Sequence, residues 1–329
     1  MIDLTGKKIL FIGPKYYDYH TNIVQKLQQW GGEVDYHPEM INNFLQRAAK
    51  VIQGRFRTFV QDRYLHTLLD SIGTRHYDHV LLIRGEIITP SFMEELRRRL
   101  PQANFTLYQW DSQKHNNYLP ILPYFDHALT FDPLDAQNFH LDYLPLFYTD
   151  AYKQIAESTH SKEYDIAFFG AYHSDRLAIV KQIDAEAKRY GLKFYHHIYI
   201  TKFSLIRALL RRKITLDDLC YLKTFTVPSS VIHDIYAKTK AVLDVEMTHQ
   251  NGLTIRTLEV LGSNLKLLTT NTTIQNEPFF DPHRIAVLNR SSIELSPDFF
   301  AKPLAQDPRL DHYHIDHWLT TLLSRAAQS

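Results

Sequence analysis

The segment Gln250-Asn251-Gly252-Leu253-Thr254-Ile255-Arg256-Thr257-Leu258-Glu259-Val260-Leu261-Gly262-Ser263-Asn264-Leu265-Lys266-Leu267-Leu268-Thr269-Thr270-Asn271 reads as a polar loop with a glycine, one helix, a glycine stop and a buried strand. A helix that opens at Gly252 points backbone N–H groups and the positive end of its dipole outward, which suits a diphosphate without any lysine. Glu259 follows seven residues after Gly252, two turns into the helix, where a carboxylate facing a crevice accepts both hydroxyl protons of a ribose. The same spacing also fits a plain helix with a solvated glutamate.

Holding such residues requires a rigid frame. Short apolar runs alternate with longer amphipathic stretches, the pattern of a parallel sheet covered by helices, so the fold class is α/β. Lys8-Ile9-Leu10-Phe11-Ile12 is a strand ending at Gly13-Pro14, and residues 22–30 before Gly31-Gly32 form a helix with a glycine stop. Residues 41–70 are mostly helical, 79–83 are a buried strand, 91–100 a helix, and strands follow near 105–108 and 127–131. The pattern lapses after Leu144 and restarts at Tyr164, with a strand at 165–169, a helix over 174–190, a strand over 192–198, a basic helix over 202–213 and further units at 230–246 and 252–270.

The predicted organisation is an acceptor-side domain over 1–150, a donor domain over 151–310 and an amphipathic C-terminal helix over 311–329. In that helix Ile315, Trp318, Leu319, Leu322 and Leu323 form an apolar stripe able to cross back over the first domain. Two doubly wound domains place the expected ligand site in the crevice between them, facing the carboxyl ends of both sheets.

Composition removes several classes. Lys+Arg 37 against Asp+Glu 36 leaves a net charge of +1, with no basic excess for a nucleic acid partner. No 18-residue apolar run spans a membrane. The one cysteine, Cys220, forms no internal bridge and is expected as a buried structural thiol, and no secretory pattern opens the chain. The expected location is cytoplasmic, with peripheral contact at the cytoplasmic face of the inner membrane as an option.

The 250–271 segment resembles the donor-site helix of GT-B glycosyltransferases, in which a glutamate at the position of Glu259 holds the ribose of a sugar nucleotide. Four further stretches resemble the capsular polysaccharide and lipopolysaccharide transferases of that type: Leu107-Tyr108-Gln109-Trp110-Asp111-Ser112, Phe131-Asp132-Pro133-Leu134-Asp135-Ala136, Leu144-Pro145-Leu146-Phe147-Tyr148, and 164–176. Together the matches span residues 80–290. The resemblance implies two Rossmann-like domains, a nucleotide diphosphate sugar as co-substrate, a saccharide or lipid-linked saccharide acceptor, and no obligatory cofactor or metal. Retaining members with a Glu-x7-Glu pattern carry glutamate where this chain has Asn251, so inversion versus retention stays open.

On this reading the donor contacts are Gly170, His173, Arg176, Lys202, Asn251, Gly252, Leu253, Thr254 and Glu259. Arg176 supplies positive charge against the departing diphosphate; otherwise it is a surface arginine on a first helical turn, and Arg256 a surface salt bridge. Three loops of the first domain follow strands: Gly13-Pro14-Lys15-Tyr16-Tyr17-Asp18-Tyr19-His20, Arg84-Gly85-Glu86 and Trp110-Asp111-Ser112. In an inverting enzyme one carboxylate or imidazole there takes the acceptor hydroxyl's proton. Asp111 is favoured, because it follows a buried strand directly and has a tryptophan beside it to stack on a sugar face; as a turn or N-cap aspartate it would do neither. Asp18 and His20, on a looser loop, come next, then Glu86.

Other signals carry less. His312-Tyr313-His314-Ile315-Asp316-His317 has ligand types but no companion cysteine, Asp244-Val245-Glu246 fits burial of Val245 better than a metal-binding acid pair, and Walker and Gly-x-Gly-x-x-Gly patterns are missing. Two basic stretches with interleaved apolar residues, 47–63 (Arg47, Lys50, Arg55, Arg57, Arg63) and 202–213 (Lys202, Arg207, Arg211, Arg212, Lys213), suit an anionic bilayer or a solvated face equally. The expected function is transfer of a sugar to a surface polysaccharide or lipopolysaccharide acceptor. The alternatives are a nucleotide-sugar epimerase of the same fold and a non-catalytic sugar- or nucleotide-binding module of an assembly complex.

Overall fold

The computed structural model describes residues 2–40, 55–246 and 252–324. Asn251, Arg47 and Lys50 lie outside these residues, as does the part of the expected 41–70 helix before Arg55. The chain divides into two compact units, Met1–Pro145 with Ile315–Ser329, and Leu146–His314.

The first unit contains β1 (Lys8–Gly13), α1 (Tyr19–Gln29), β2 (Glu33–Pro38), α2 (Arg55–Ile72), β3 (His79–Ile83), α3 (Pro90–Arg99), β4 (Asn104–Gln109), β5 (His127–Thr130), α4 (Pro133–Phe139) and β6 (Asp142–Tyr143). Its sheet is parallel with order β2-β1-β3-β4-β5-β6. The inner strands are apolar on both faces because helices cover both: Ile9, Leu10, Phe11 and Ile12 are all buried. Helix starts are set chemically. Thr89 accepts from the Phe92 amide with Pro90 at the first helical position, and Asp132 accepts from the Leu134 and Asp135 amides ahead of Pro133.

Gly31 closes α1 at φ +92°, and an added Cβ would meet the Thr5 hydroxyl at 2.8 Å. Gly31→Ala is expected to cost about 1–2 kcal/mol, read as a lower urea midpoint with an unchanged slope.

The second unit contains α5 (Asp150–Ala156), β7 (Tyr164–Ala171), α6 (Arg176–Arg189), β8 (Phe194–Tyr199), α7 (Lys202–Leu210), β9 (Leu222–Lys223), α8 (Ser229–Ala237), β10 (Thr239–Asp244), α9 (Ile255–Gly262), β11 (Lys266–Thr269), β12 (Ile285–Val287) and α10 (Pro297–Ala301). Its parallel sheet runs β12-β11-β10-β7-β8-β9. Gly262 is the last residue of α9 and not its stop: the left-handed residue that ends the helix is Asn264 at φ +53°. Glycine is needed at 262 because the Tyr148 ring lies where a Cβ would stand, 2.4 Å away.

The last helix, α11 (Ile315–Ser324), belongs to the first unit. It buries Ile315, Trp318, Leu319, Leu322 and Leu323, sets Trp318 edge-on to Tyr108 of β4 at 4.8 Å, and pairs Asp316 with Lys26 of α1 at 2.9 Å. Among the described residues no helix is long and apolar enough to cross a membrane.

Both sheets contain a point where strand order reverses, at β1/β3 and at β7/β10. Loops leaving neighbouring strands there diverge and open a crevice at the carboxyl edge, the place where open α/β sheets bind ligands.

Candidate functional site

At the second unit's reversal point, Arg176 opens α6 and donates from Nε and Nη2 to the Val245 carbonyl at 3.0 and 2.7 Å, and from Nη1 to Ala171 at 3.3 Å. It thereby ties the loop after β7 to the loop after β10. Gly170 makes room for this: a Cβ there would come within 2.7 Å of the Phe168 ring and 3.3 Å of Arg176 Nη1. His173 lies 2.9 Å from the Ser174 hydroxyl, and burial together with the Arg176 charge holds its imidazole below the usual range. It is therefore a neutral donor or acceptor at pH 7.

Gly252, Leu253 and Thr254 lead into α9. Thr254 caps the helix by accepting from the Thr257 amide at 3.1 Å, and both threonine hydroxyls donate to the buried Asp244 carboxylate, at 2.5 and 2.8 Å. The start of α9 is thus bolted to the end of β10. Glu259 is 3% exposed, so it is not the solvated glutamate of a plain helix. The Tyr152 hydroxyl of α5 hydrogen-bonds it, and burial with the Glu259 charge pushes that phenol well above its usual range.

Arg256 departs from the surface salt bridge expected for it. It donates to the Phe169 carbonyl of β7, and although burial opposes its charge, Tyr236, Asp244 and Glu259 around it hold the guanidinium well above its ordinary value. The reason is packing: the first turn of α9 lies beside the end of β7, within reach of the Phe169 carbonyl, while α5 packs against both α8 and α9.

Sequence reasoning missed a second constellation at the same edge. Arg290, beyond β12, donates to Asp175 at 2.7 and 2.9 Å and to the carbonyl and carboxylate of Glu246 at 2.8 and 2.5 Å; Thr270 donates to the other Glu246 oxygen at 2.6 Å. Asp244 and Glu246 therefore both have structural partners around the fully buried Val245. The available signal was that each of these residues lies within about five positions of the end of an apolar run, as Glu246 does directly after Val245 and Arg290 two residues after Leu288. Arg290→Met would leave the buried Glu246 without its cation, with an expected loss of about 1–3 kcal/mol in denaturant unfolding. Lys202 starts α7 after β8, exposed, and Cys220 is exposed as well, not buried, in the short turn Asp217–Tyr221 where its thiol donates to the Asp217 carbonyl at 3.1 Å.

At the first unit's reversal point, Arg84 follows β3 with φ +70° and Gly85 with φ +72°. A left-handed arginine is strained by roughly 1–3 kcal/mol, and its surroundings impose it. Its carbonyl accepts from Gln109 and Asn116 at 2.7 and 2.8 Å, while its guanidinium meets Glu39 through Nε at 2.5 Å and through Nη2, Glu86 at 3.0 Å and Asp111 at 3.8 Å. Glu39 is 0% exposed and also accepts from the Glu86 amide at 3.0 Å; burial pushes its carboxyl up, more than Arg84 pulls it back. Partial burial likewise pushes Asp111 above the ordinary carboxylate range despite Arg84, and Glu86 adds to the shift.

Beside Asp111 stands an aromatic wall. Trp110 lies 6.4 Å from Tyr16 and 6.5 Å from Tyr19, and Tyr17 meets Tyr16 edge-on at 4.7 Å; Tyr16 and Tyr17 are more than half exposed. This joins the loop after β1 to the loop after β4. Asp18 is exposed just before α1. His20 is not on that loop but in the first turn of α1, its ring 5.1 Å from Tyr36, and burial with Lys15 nearby lowers its basicity.

No protein-family model matches the sequence, and no curated protein matches it. Solved structures do match. A lipopolysaccharide outer core galactosyltransferase in its apo form shares 13% identity with a TM-score of 0.53, over 98% of this chain and 99% of that one. A glycosyltransferase from Rickettsia africae ESF-5 shares 10% at a TM-score of 0.60, over 98% of each chain. The chain has the GT-B fold. A UDP-N-acetylglucosamine 2-epimerase matches comparably, at 11% identity and a TM-score of 0.52 over 99% of this chain and 97% of that one. Within the GT-B frame, the residues expected around a donor lie at the ends of β7, β8 and β10 and along α9, and those expected around an acceptor at the ends of β1, β3 and β4.

Proposed function

We propose that this chain is a glycosyltransferase that moves a sugar from a nucleotide diphosphate donor, bound at the β7/β10 edge, to a saccharide acceptor of the surface-polysaccharide or lipopolysaccharide kind, bound at the β1/β3 edge. The observation that carries this reading is the aromatic wall beside Asp111, in which the exposed Tyr16 and Tyr17 stand with a half-buried Trp110. Aromatic faces next to a carboxylate suit a second saccharide, which an epimerase releasing a free sugar does not need.

In the proposed reaction the acceptor hydroxyl oxygen attacks the anomeric carbon, its proton passes to the Asp111 carboxylate, and the bond to the diphosphate breaks as the nucleoside diphosphate leaves. The raised basicity of Asp111 favours the proton transfer. The loop amides at 252–254 and the neutral His173 hold the diphosphate, with Arg176 adding positive potential. Glu259, set by Tyr152 and Arg256, accepts from the ribose hydroxyls.

Calorimetry against UDP, GDP, CMP and dTDP, with and without magnesium, tests the donor site. One nucleotide is expected to bind irrespective of the metal, and more weakly to a folded Glu259→Gln variant. If none of the four binds folded wild-type protein, the donor site is lost and a binding module becomes the better account. The fold it shares with an epimerase favours that enzyme as the second reading, and appearance of free sugar without any acceptor would select it.

A further inference from the structure

Among the described residues twelve large hydrophobic side chains are exposed, and six come from residues 203–225. Three of them, Phe203 (76%), Ile206 (58%) and Leu210 (80%), share one face of α7 at i, i+3, i+7 spacing, and Leu216 (75%) extends the patch in the following turn. The opposite face of α7 buries Ala208, so this helix has an inner contact and a second, uncovered apolar stripe.

The stripe is bordered by charge of one sign. Lys202 flanks it on one side, Arg207 and Arg211 on the other, and Arg212 and Lys213 follow; all five are exposed, and among the described residues none forms an ion pair. Of the nearby acids, Asp218 is occupied by Lys181 at 2.6 Å and by Thr215 at 2.8 and 3.1 Å, which leaves Asp217 as the one opposing charge on the turn.

We infer that α7 and the turn after it dock the second unit onto an anionic lipid surface, with Phe203, Ile206, Leu210 and Leu216 inserted at the headgroup boundary and the arginines and lysines on the lipid phosphates. Long basic stems lie along apolar surface while their heads reach anionic groups, so the two halves of the patch work together. A second copy of this chain fits worse, because pairing the same face twice would bring two clusters of positive charge together. This inference goes beyond sugar transfer and is read without any sugar nucleotide, so it stands or falls apart from the proposed function.

The test is sedimentation of the full chain with phosphatidylcholine vesicles, with and without phosphatidylglycerol, at low and high salt. Binding is expected only to the phosphatidylglycerol vesicles, and to fade with salt. Phe203→Glu/Ile206→Glu/Leu210→Glu should abolish it, and Arg207→Gln/Arg211→Gln/Lys213→Gln should weaken partitioning roughly 100-fold, at about fivefold per charge removed. Wild-type protein that ignores anionic vesicles, or binding that survives the triple glutamate variant, overturns the inference. So does an oligomer in light scattering that the glutamate variant dissociates while wild type fails to bind vesicles, since that assigns the face to a protein contact.

Discussion

Asp111→Asn is expected to lower kcat for sugar transfer by about 10²–10⁴-fold, the usual worth of a positioned general base, while nucleotide binding stays at the wild-type level. The side chain keeps its size and its neighbour Arg84 at 3.8 Å, so the change removes proton acceptance and little else. A pH profile separates this from a structural effect. The carboxyl must be ionised to accept a proton, and burial holds its pKa above the ordinary 3.8. The wild-type rate should therefore fall as pH drops through that raised value, with the acid limb displaced upward from an ordinary aspartate, and the limb should vanish in the variant. A variant with unchanged kcat would transfer the role of base away from this loop.

Arg84→Met is the second large effect, an expected loss of about 3–5 kcal/mol in denaturant unfolding, because it leaves the fully buried Glu39 without its cation. The sign of its pH dependence follows from linkage. Burial already raises the Glu39 carboxyl above its ordinary 4.5, and Arg84 is the largest influence opposing that rise. Without it the folded-state pKa moves further up, and the folded chain carries a proton that the unfolded chain has released. The penalty of the ionised form is present above the folded pKa and absent below about 4.5. The stability defect should be largest at neutral pH and shrink on acidification. The double variant Arg84→Met/Glu39→Gln should recover most of the loss, since it removes the charge that the single variant strands. A defect that is constant with pH, or unrelieved in the double variant, would show that Arg84 stabilises the loop through its backbone bonds to Gln109 and Asn116 alone.

Fold class and the locations of the main loops were legible in the residues because strands buried on both faces must be apolar along their length. Ile9 to Ile12 and Ile166 to Phe169 satisfy that condition and are buried in parallel sheets. The stripe Ile315, Trp318, Leu319, Leu322 and Leu323 likewise announced a buried helix face. Local chemistry was also readable where a partner sits within a few residues, as with Thr254 capping the amide of Thr257.

What only the tertiary structure decided are the pairings between distant residues. Glu39 and Arg84 are 45 residues apart, and Asp175 and Arg290 are 115 apart. No periodicity encodes such pairs, because strand order brings them to one edge and a single sequence holds no record of that order. The same limit explains Arg256, which turns in to the Phe169 carbonyl of β7, and Cys220, which stays exposed. It also explains α7. The spacing of Phe203, Ile206 and Leu210 is that of a buried helix face, but spacing states only that three side chains share a face, and whether that face meets a core or an open surface depends on which other elements pack against it.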